Sequence, residues 1–187
     1  QVPEAEAKSL LKIKNSINTL NAMFDALLNI SKLDADVTPV TQRPFNLSEL
    51  TGTLRDLFET KAKSKGLSLH ITAPALVVRG DKLLLQQIVG NLVSNAIQYT
   101  EAGSVEVRFE STPEGLRIEV IDTGSGIPLS EQTHIFHEFY RAEETRALHD
   151  GLGLGLSIVK RLCHLIGFRR LSQARAWTMM ARGARSP

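Results

Sequence analysis

Two short glycine strings limit this chain's architecture more than any other feature. Asp122-Thr123-Gly124-Ser125-Gly126 stands where an alternating strand pattern ends, and Gly151-Leu152-Gly153-Leu154-Gly155 stands where a helical pattern begins. Glycines one residue apart leave backbone without Cβ atoms, so a flat ring can approach the first string. Asp122 beside them can accept a hydrogen bond from a ligand amine, which describes an adenine pocket, although the string alone also fits a tight turn. The second string opens a helix, where free N–H groups and the positive helix end favour phosphate. Neither string has the Gly-Lys-Ser/Thr ending of a Walker loop or the wider glycine spacing of a dinucleotide fingerprint.

The elements around the strings are readable from periodicity. Leu10, Ile13, Ile17, Leu20, Phe24 and Leu27 recur in alternating three- and four-residue steps, the seam of a helix packed in a bundle, expected over about residues 4–34 and closed off by Pro39 and Pro44. An amphipathic helix packed on its own domain is the alternative. Asn46 or Ser48 can cap a helix over about 48–65, stopped by Gly66. Segments 67–72 and 76–78 read as strands, and Asp81 caps an apolar helix reaching about Gln98. Segments 104–110 and 116–121 alternate around the turn at 112–115 and form a hairpin. A short helix near 130–137 and a last one over about 154–166 follow, so the fold class is α+β, a largely antiparallel sheet with helices on one face.

On the helix after Asp81, the residues Leu85, Ile88, Val89, Leu92 and Ala96 make one apolar stripe, while Asn91 and Asn95 project from another face. Asparagine is a poor helix former, so two at mid-helix point to a purpose beyond helix formation. Amide oxygens are hard ligands suited to Mg²⁺, which takes further oxygens from substrate phosphates. Taken alone, the pair also fits two amides tying down neighbouring loops.

In order, NLVSN at 91–95, DTGSG at 122–126, FHEFYR at 136–141 and GLGLGLSIVK at 151–160 closely resemble the N box, first glycine box, F box and second glycine box of sensor histidine kinases. LLNISKLDA at 27–35 and RPFNLSEL at 43–50 resemble the end of that family's dimerisation helix and its junction with the catalytic domain. The resemblance spans about residues 10–167 and implies a stalk helix at 1–38 and a catalytic ATP-binding domain at 39–167, leaving an atypical basic tail at 168–187 outside it. It implies an α/β sandwich of the histidine-kinase, gyrase and chaperone ATPase type, with ATP under a lid of about residues 127–152. By position, Asn95 would coordinate Mg²⁺ and Asn91 would sit near the phosphates. Asp122 would accept from the adenine amino group, Gly124 and Gly126 would shape that pocket, and Tyr99 would flank the nucleotide. Gly151, Gly153 and Gly155 would let the lid close on the phosphates, Leu154 is a nucleotide-binding candidate beside them, Phe136 and Phe139 would anchor the lid, and Arg141 is a further phosphate candidate.

Three departures stand out. Family members commonly carry a lysine three residues after the second N-box asparagine, where this chain has Gln98. The phosphoacceptor of the family lies on the first stalk helix, and none of His70, His134, His137, His149 and His164 stands in its motif. From Gly167 onward the expected closing strands and glycine turn are not recognisable; a frameshift or truncation in the parent reading frame is the preferred explanation, a divergent but folded hairpin the alternative.

The implied activity is ATP-dependent phosphoryl transfer to a histidine on a stalk helix outside this chain, for relay to a response regulator receiver domain. The rivals are a degenerate nucleotide-binding or dimerising module and a conformational ATPase. A homodimer through the stalk is expected in the parent. The net charge of +2 depends on Arg169, Arg170, Arg175, Arg182 and Arg185; removing those five positive charges leaves −3, so nucleic acid is not an expected partner. One cysteine, Cys163, excludes an internal disulfide. No apolar run approaches the roughly 20 residues of a membrane span, so no membrane contact is expected of this fragment. A cytoplasmic location follows, compatible with a parent anchored in the inner membrane. The start at Gln1 fits a fragment or processed product.

Overall fold

The computed structural model describes residues 39–141, 152–173 and 176–182, together with eight positions of the N-terminal segment. The chain divides into two compact units, Gln1–Thr38 and Pro39–Pro187. In the first, the described positions, Glu6 to Ser31, are helical. The seam residues Leu10, Ile13, Ile17, Leu20 and Phe24 are exposed by 51–69%, as is the apolar Leu28 by 47%. Leu27 lies outside the described residues.

The second unit runs β1 (Arg43–Asn46), α1 (Leu47–Ser64), β2 (Ser68–Thr72), β3 (Val77–Gly80), α2 (Lys82–Tyr99), β4 (Ser104–Thr112), β5 (Gly115–Asp122), α3 (Gly155–Leu165), β6 (Phe168–Gln173) and β7 (Ala176–Arg182). Five strands form one sheet in the order β2-β4-β5-β7-β6, and β1 pairs with β3 in a separate ribbon. All neighbours in the main sheet are antiparallel except β2 and β4. Alternation places Val105, Val107 and Phe109 of β4 and Leu116, Ile118 and Val120 of β5 in the core. Buried with them are Leu50 and Leu54 of α1, which packs on β2 and α2, the whole predicted stripe of α2, and Ile158, Val159 and Leu162 of α3. The result is one sheet and one helical layer around a single core, the α/β sandwich expected.

Asp81 caps α2 as its sequence position foretells: its Oδ1 accepts from the N–H groups of Leu83 and Leu84, both at 3.1 Å. Asn46 holds the N-cap position of α1, but its side chain makes no capping bond and its amide instead reaches Glu49 at 3.5 Å. Ser48 lies inside the first turn. Glu49 also pairs with Lys82 at 2.8 Å, tying the starts of α1 and α2 together.

Three expectations need correction. The segment near 130–137 is a chain of turns, not a helix. Its bonds run mostly three residues back, from Glu131 N–H to Pro128 O, from His134 N–H to Glu131 O and from His137 N–H to His134 O, with a single four-residue bond from Ile135 N–H to Glu131 O at 3.0 Å. Residues 43–46 form a strand that was not foreseen, with Pro44 tolerated on a two-stranded ribbon. The segment set apart as a tail is a hairpin over 168–173 and 176–182, the alternative reading, and β7 pairs along β5 from Gly115↔Arg182 to Ile121↔Ala176. Its physical basis is burial: Met179 is 1% exposed and meets Cys163 of α3, Sγ to Sδ 3.5 Å.

Candidate functional site

The C-terminal half of α2 is the axis on which the motifs converge. Asn91 and Asn95 are half-buried and one turn apart. They face the first residue of α3: a Cβ on Gly155 would lie 3.5 Å from Asn91 Oδ1 and 3.7 Å from Asn95 Oδ1. Two amide oxygens therefore border the helix end whose free N–H groups favour an anion.

One turn further, Tyr99 and Thr100 meet the first glycine string. A Cβ on Gly124 would stand 2.6 Å from Tyr99 O, 2.9 Å from Asp122 Oδ1 and 3.3 Å from Thr100 Oγ1. Only glycine fits there. Asp122 Oδ1 accepts from Gly124 N–H at 2.9 Å, which fixes the carboxylate at the end of β5. Gly126 has φ of 75° and turns the chain toward Ile127 and Pro128.

Thr123 fastens this corner. Its Oγ1 donates to Ala102 O at 3.0 Å and accepts from Ser104 N–H at 3.0 Å, which joins the α2–β4 loop to the strand end carrying Asp122. Gly103, with φ of 109°, leaves room for that hydroxyl. Lys65, just after α1, donates to Ile97 O at 2.8 Å and Gln98 O at 2.6 Å, satisfying carbonyls that end α2. A lysine thus stands beside position 98, but its ammonium is engaged by backbone.

The F box docks on the second glycine string. Gly153 has φ of 68°, and a Cβ on it would fall 2.7 Å from Tyr140 O and 2.8 Å from the carbonyl carbon of Phe139. Phe139 itself has φ of 60°, an uncommon value for a residue with a side chain. Phe136 is buried, whereas Phe139 is 49% exposed and its backbone makes the close contact with Gly153. Tyr140 donates to Glu131, and Arg161 of α3 pairs with Glu138 at 2.5 Å. Leu154 is buried at the N-cap of α3, Ser157 Oγ donates to its carbonyl at 2.8 Å, and Arg141 is half-buried. Gly151 lies outside the described residues.

The structure therefore brings Asn91, Asn95, Tyr99, Asp122, Gly124, Gly153 and Gly155 around one corner of the sandwich. Thr100, Thr123 and Lys65 were missed by sequence reasoning, because single hydroxyls and a helix-end lysine carry no spacing signal. Among the described residues no group of three or more His, Cys, Asp or Glu could hold a metal. The donor set is instead two amide oxygens beside a helix N-terminus, which fits a hard cation shared with phosphate oxygens.

Residues 80–183 match the family described as histidine kinase-, DNA gyrase B-, and HSP90-like ATPase. The chain belongs to that family. A curated relative of this ATPase domain, the sensor protein kinase PmrB of Pseudomonas aeruginosa, is 36% identical over 164 residues, covering 87% of this chain and 34% of the relative. The chain thus spans about a third of that relative's length. Among solved structures, full-length ShkA in complex with AMPPNP superposes with a TM-score of 0.81 at 24% identity, covering 99% of this chain and 41% of that one. The nucleotide-free catalytic domain of histidine kinase ThkA matches with a TM-score of 0.65 at 27% identity, covering 76% of this chain and 95% of that one. The ATPase-domain sandwich of histidine kinases is accordingly the fold of this chain. No helix among its described residues is long and apolar enough to cross a membrane.

Proposed function

We propose that this ATPase domain binds Mg-ATP at the α2 corner and transfers the γ-phosphoryl group to a histidine on a stalk helix outside these residues. The observation that carries the reading is the meeting of Asn91 and Asn95 with Gly155 on one side of α2, and of Asp122 with Gly124 one turn along. A base site and a phosphate site then lie on the same helix.

Asp122 accepts from the adenine amine, Gly124 shapes that corner by letting Tyr99 O come within 2.6 Å of where its Cβ would stand, and the bare Cα of Gly126 admits the ring. Tyr99 flanks the nucleotide. The N–H groups that open α3 donate to phosphate oxygens, and Gly153 lets the F box close beside them. Asn95 would hold Mg²⁺ through Oδ1 with Asn91 next to it, and the ion's chemistry there is neutralisation of phosphate charge. Catalysis by these residues is positioning and charge stabilisation, with no covalent role for the protein.

A response regulator is the proposed receiver of the phosphoryl group. The structure of ThkA in complex with the response regulator protein TrrA, with a TM-score of 0.75 over 97% of this chain, is the related assembly that supports it. The exposed seam of the N-terminal helical positions is the proposed dimer contact. The test is incubation with Mg²⁺, γ-labelled ATP and a polypeptide bearing the parent's first stalk helix. Acid-labile label is expected on the supplied helix and not on this chain, and Asn95→Ala should abolish it while the fold persists. Nucleotide binding with no transfer to that helix would favour a degenerate module, and steady hydrolysis without an acceptor would favour a conformational ATPase.

A further inference from the structure

α2 ends without the usual means of closing a helix. Its C-cap, Thr100, has extended backbone (φ −100°, ψ 120°) rather than the left-handed turn of a glycine cap, and its last turn carries no basic residue. The extended exit sets Tyr99 and Thr100 directly against Gly124, where an added Cβ would lie 2.6 Å from Tyr99 O. What α2 lacks comes from its neighbour. Lys65 donates from Nζ to Ile97 O at 2.8 Å and to Gln98 O at 2.6 Å. The backbone of Lys65 is itself pinned by the end of α1: Gly66, with φ of 73°, donates to Lys63 O at 2.9 Å, and Leu67 donates to Ala62 O at 3.0 Å. A closed helix end thus aims the ammonium at an open one.

The lysine is also the last rung of a ladder. Glu49 pairs with Lys82 at 2.8 Å, a Cβ on Gly90 would meet the ring of Phe58 at 3.7 Å, and Lys61 Nζ donates to Ser94 Oγ at 3.2 Å. Partners on the two helices stay 32 or 33 residues apart, so α1 and α2 run side by side in the same direction. Of these rungs, Lys65 alone reaches the turn that bears Tyr99, one turn beyond Asn95.

We propose that Lys65 is a positioning residue for nucleotide: it caps the last turn of α2 from outside and so holds Tyr99 in register with the Asp122–Gly124 corner, without touching the ligand. The proposal rests on the reading that a nucleotide base binds at that corner. Two charge-assisted bonds at the negative end of the helix replace the cap that the extended exit denies. A neutral side chain of similar length leaves those carbonyls to water and lets the turn fray, while the sandwich core persists.

The experiment compares wild type with Lys65→Met, Lys65→Arg and Lys61→Met as whole chains, well below their melting temperatures. ATP and ADP are titrated by calorimetry, and adenosine by amide NMR. Lys65→Met should bind all three about tenfold more weakly, the cost of a modest misplacement in a fitted site. Lys65→Arg, which keeps a charged donor, should restore most of the affinity. Lys61→Met, which removes a rung but leaves the cap, should bind as wild type does. The Gly124 amide resonance should shift in Lys65→Met and stay in place in Lys61→Met. Should Lys65→Met not fold, Lys65→Gln, with an amide donor and no charge, carries the same comparison. The proposal is overturned if Lys65→Met melts lower yet keeps wild-type affinity for all three ligands, since the lysine then serves only the fold. It is equally overturned if ATP and ADP weaken while adenosine does not, since the ammonium then meets phosphate, or if arginine fails to rescue. A wild type that binds none of the three refutes the nucleotide site itself, whereas wild-type binding that Lys65→Met leaves unchanged refutes Lys65 alone.

Discussion

Gly155 lies against Asn91: a Cβ added at the first residue of α3 would stand 3.5 Å from Asn91 Oδ1 and 3.7 Å from Asn95 Oδ1. Those are ordinary contact distances, so alanine fits without moving backbone, and alanine is the better helix former. The methyl nevertheless occupies the space between the amides and the helix end. Gly155→Ala should keep or raise the melting temperature of the nucleotide-free chain while weakening ATP binding about tenfold, the loss of one charge-assisted hydrogen bond. Calorimetric melting and titration on the same sample check both. A parallel fall in stability would make Gly155 a packing residue only.

Asp122 invites a change that spares the fold. In Asp122→Asn the amide oxygen can still accept from Gly124 N–H, the bond now made at 2.9 Å, while the amide nitrogen meets the ligand amine as donor against donor. ATP affinity should drop by about 1.5–3 kcal/mol and the preference over GTP should vanish. Unchanged binding would leave Asp122 with a purely structural duty.

Two glycines separate conformational need from coincidence. Gly153→Ala places a methyl 2.7 Å from Tyr140 O at φ of 68°, and should cost about 1–3 kcal/mol of stability and loosen the F box from α3. Gly52 of α1 has nothing within 4 Å of an added Cβ, so Gly52→Ala should stabilise by about 0.5–1 kcal/mol. Denaturant melts of the two variants should move in opposite directions.

The N-terminal unit exposes Leu20 by 63% and Phe24 by 69%. Leu20→Glu and Phe24→Glu should abolish concentration-dependent self-association in sedimentation equilibrium without changing the melting of the second unit. A wild-type chain that stays monomeric at high concentration would remove the stalk contact from the proposal.

Side chains that stand out at fixed spacing were legible in the sequence as site candidates. Asn91, Asn95 and Asp122 could be picked out because an amide pair on an apolar helix and a carboxylate at a strand end are locally anomalous. The α2 stripe was legible because one face is buried from Leu85 to Ala96. What stayed hidden depends on distant partners. Nothing local announces that Gly153 must admit the backbone of Phe139, or that Thr123 reaches Ala102. The segment 130–137 resembled a helix because turns that bond three residues back share its local spacing. The final hairpin was unreadable because its register is set by β5, far upstream, and not by its own alternation.

That register also fixes a sequence of events at birth. β5 receives its second neighbour only when Ala176–Arg182 arrives, and everything between, α3 included, must be synthesised first. At roughly 5–20 residues per second on the ribosome, one edge of β5 stays bare for several seconds. During that interval the nascent domain carries an unpaired strand beside unburied Ile118 and Val120, a template for wrong pairing with other chains. Slowed translation through residues 127–152 would lengthen that exposure and should lower soluble yield more than the same pause placed in α1.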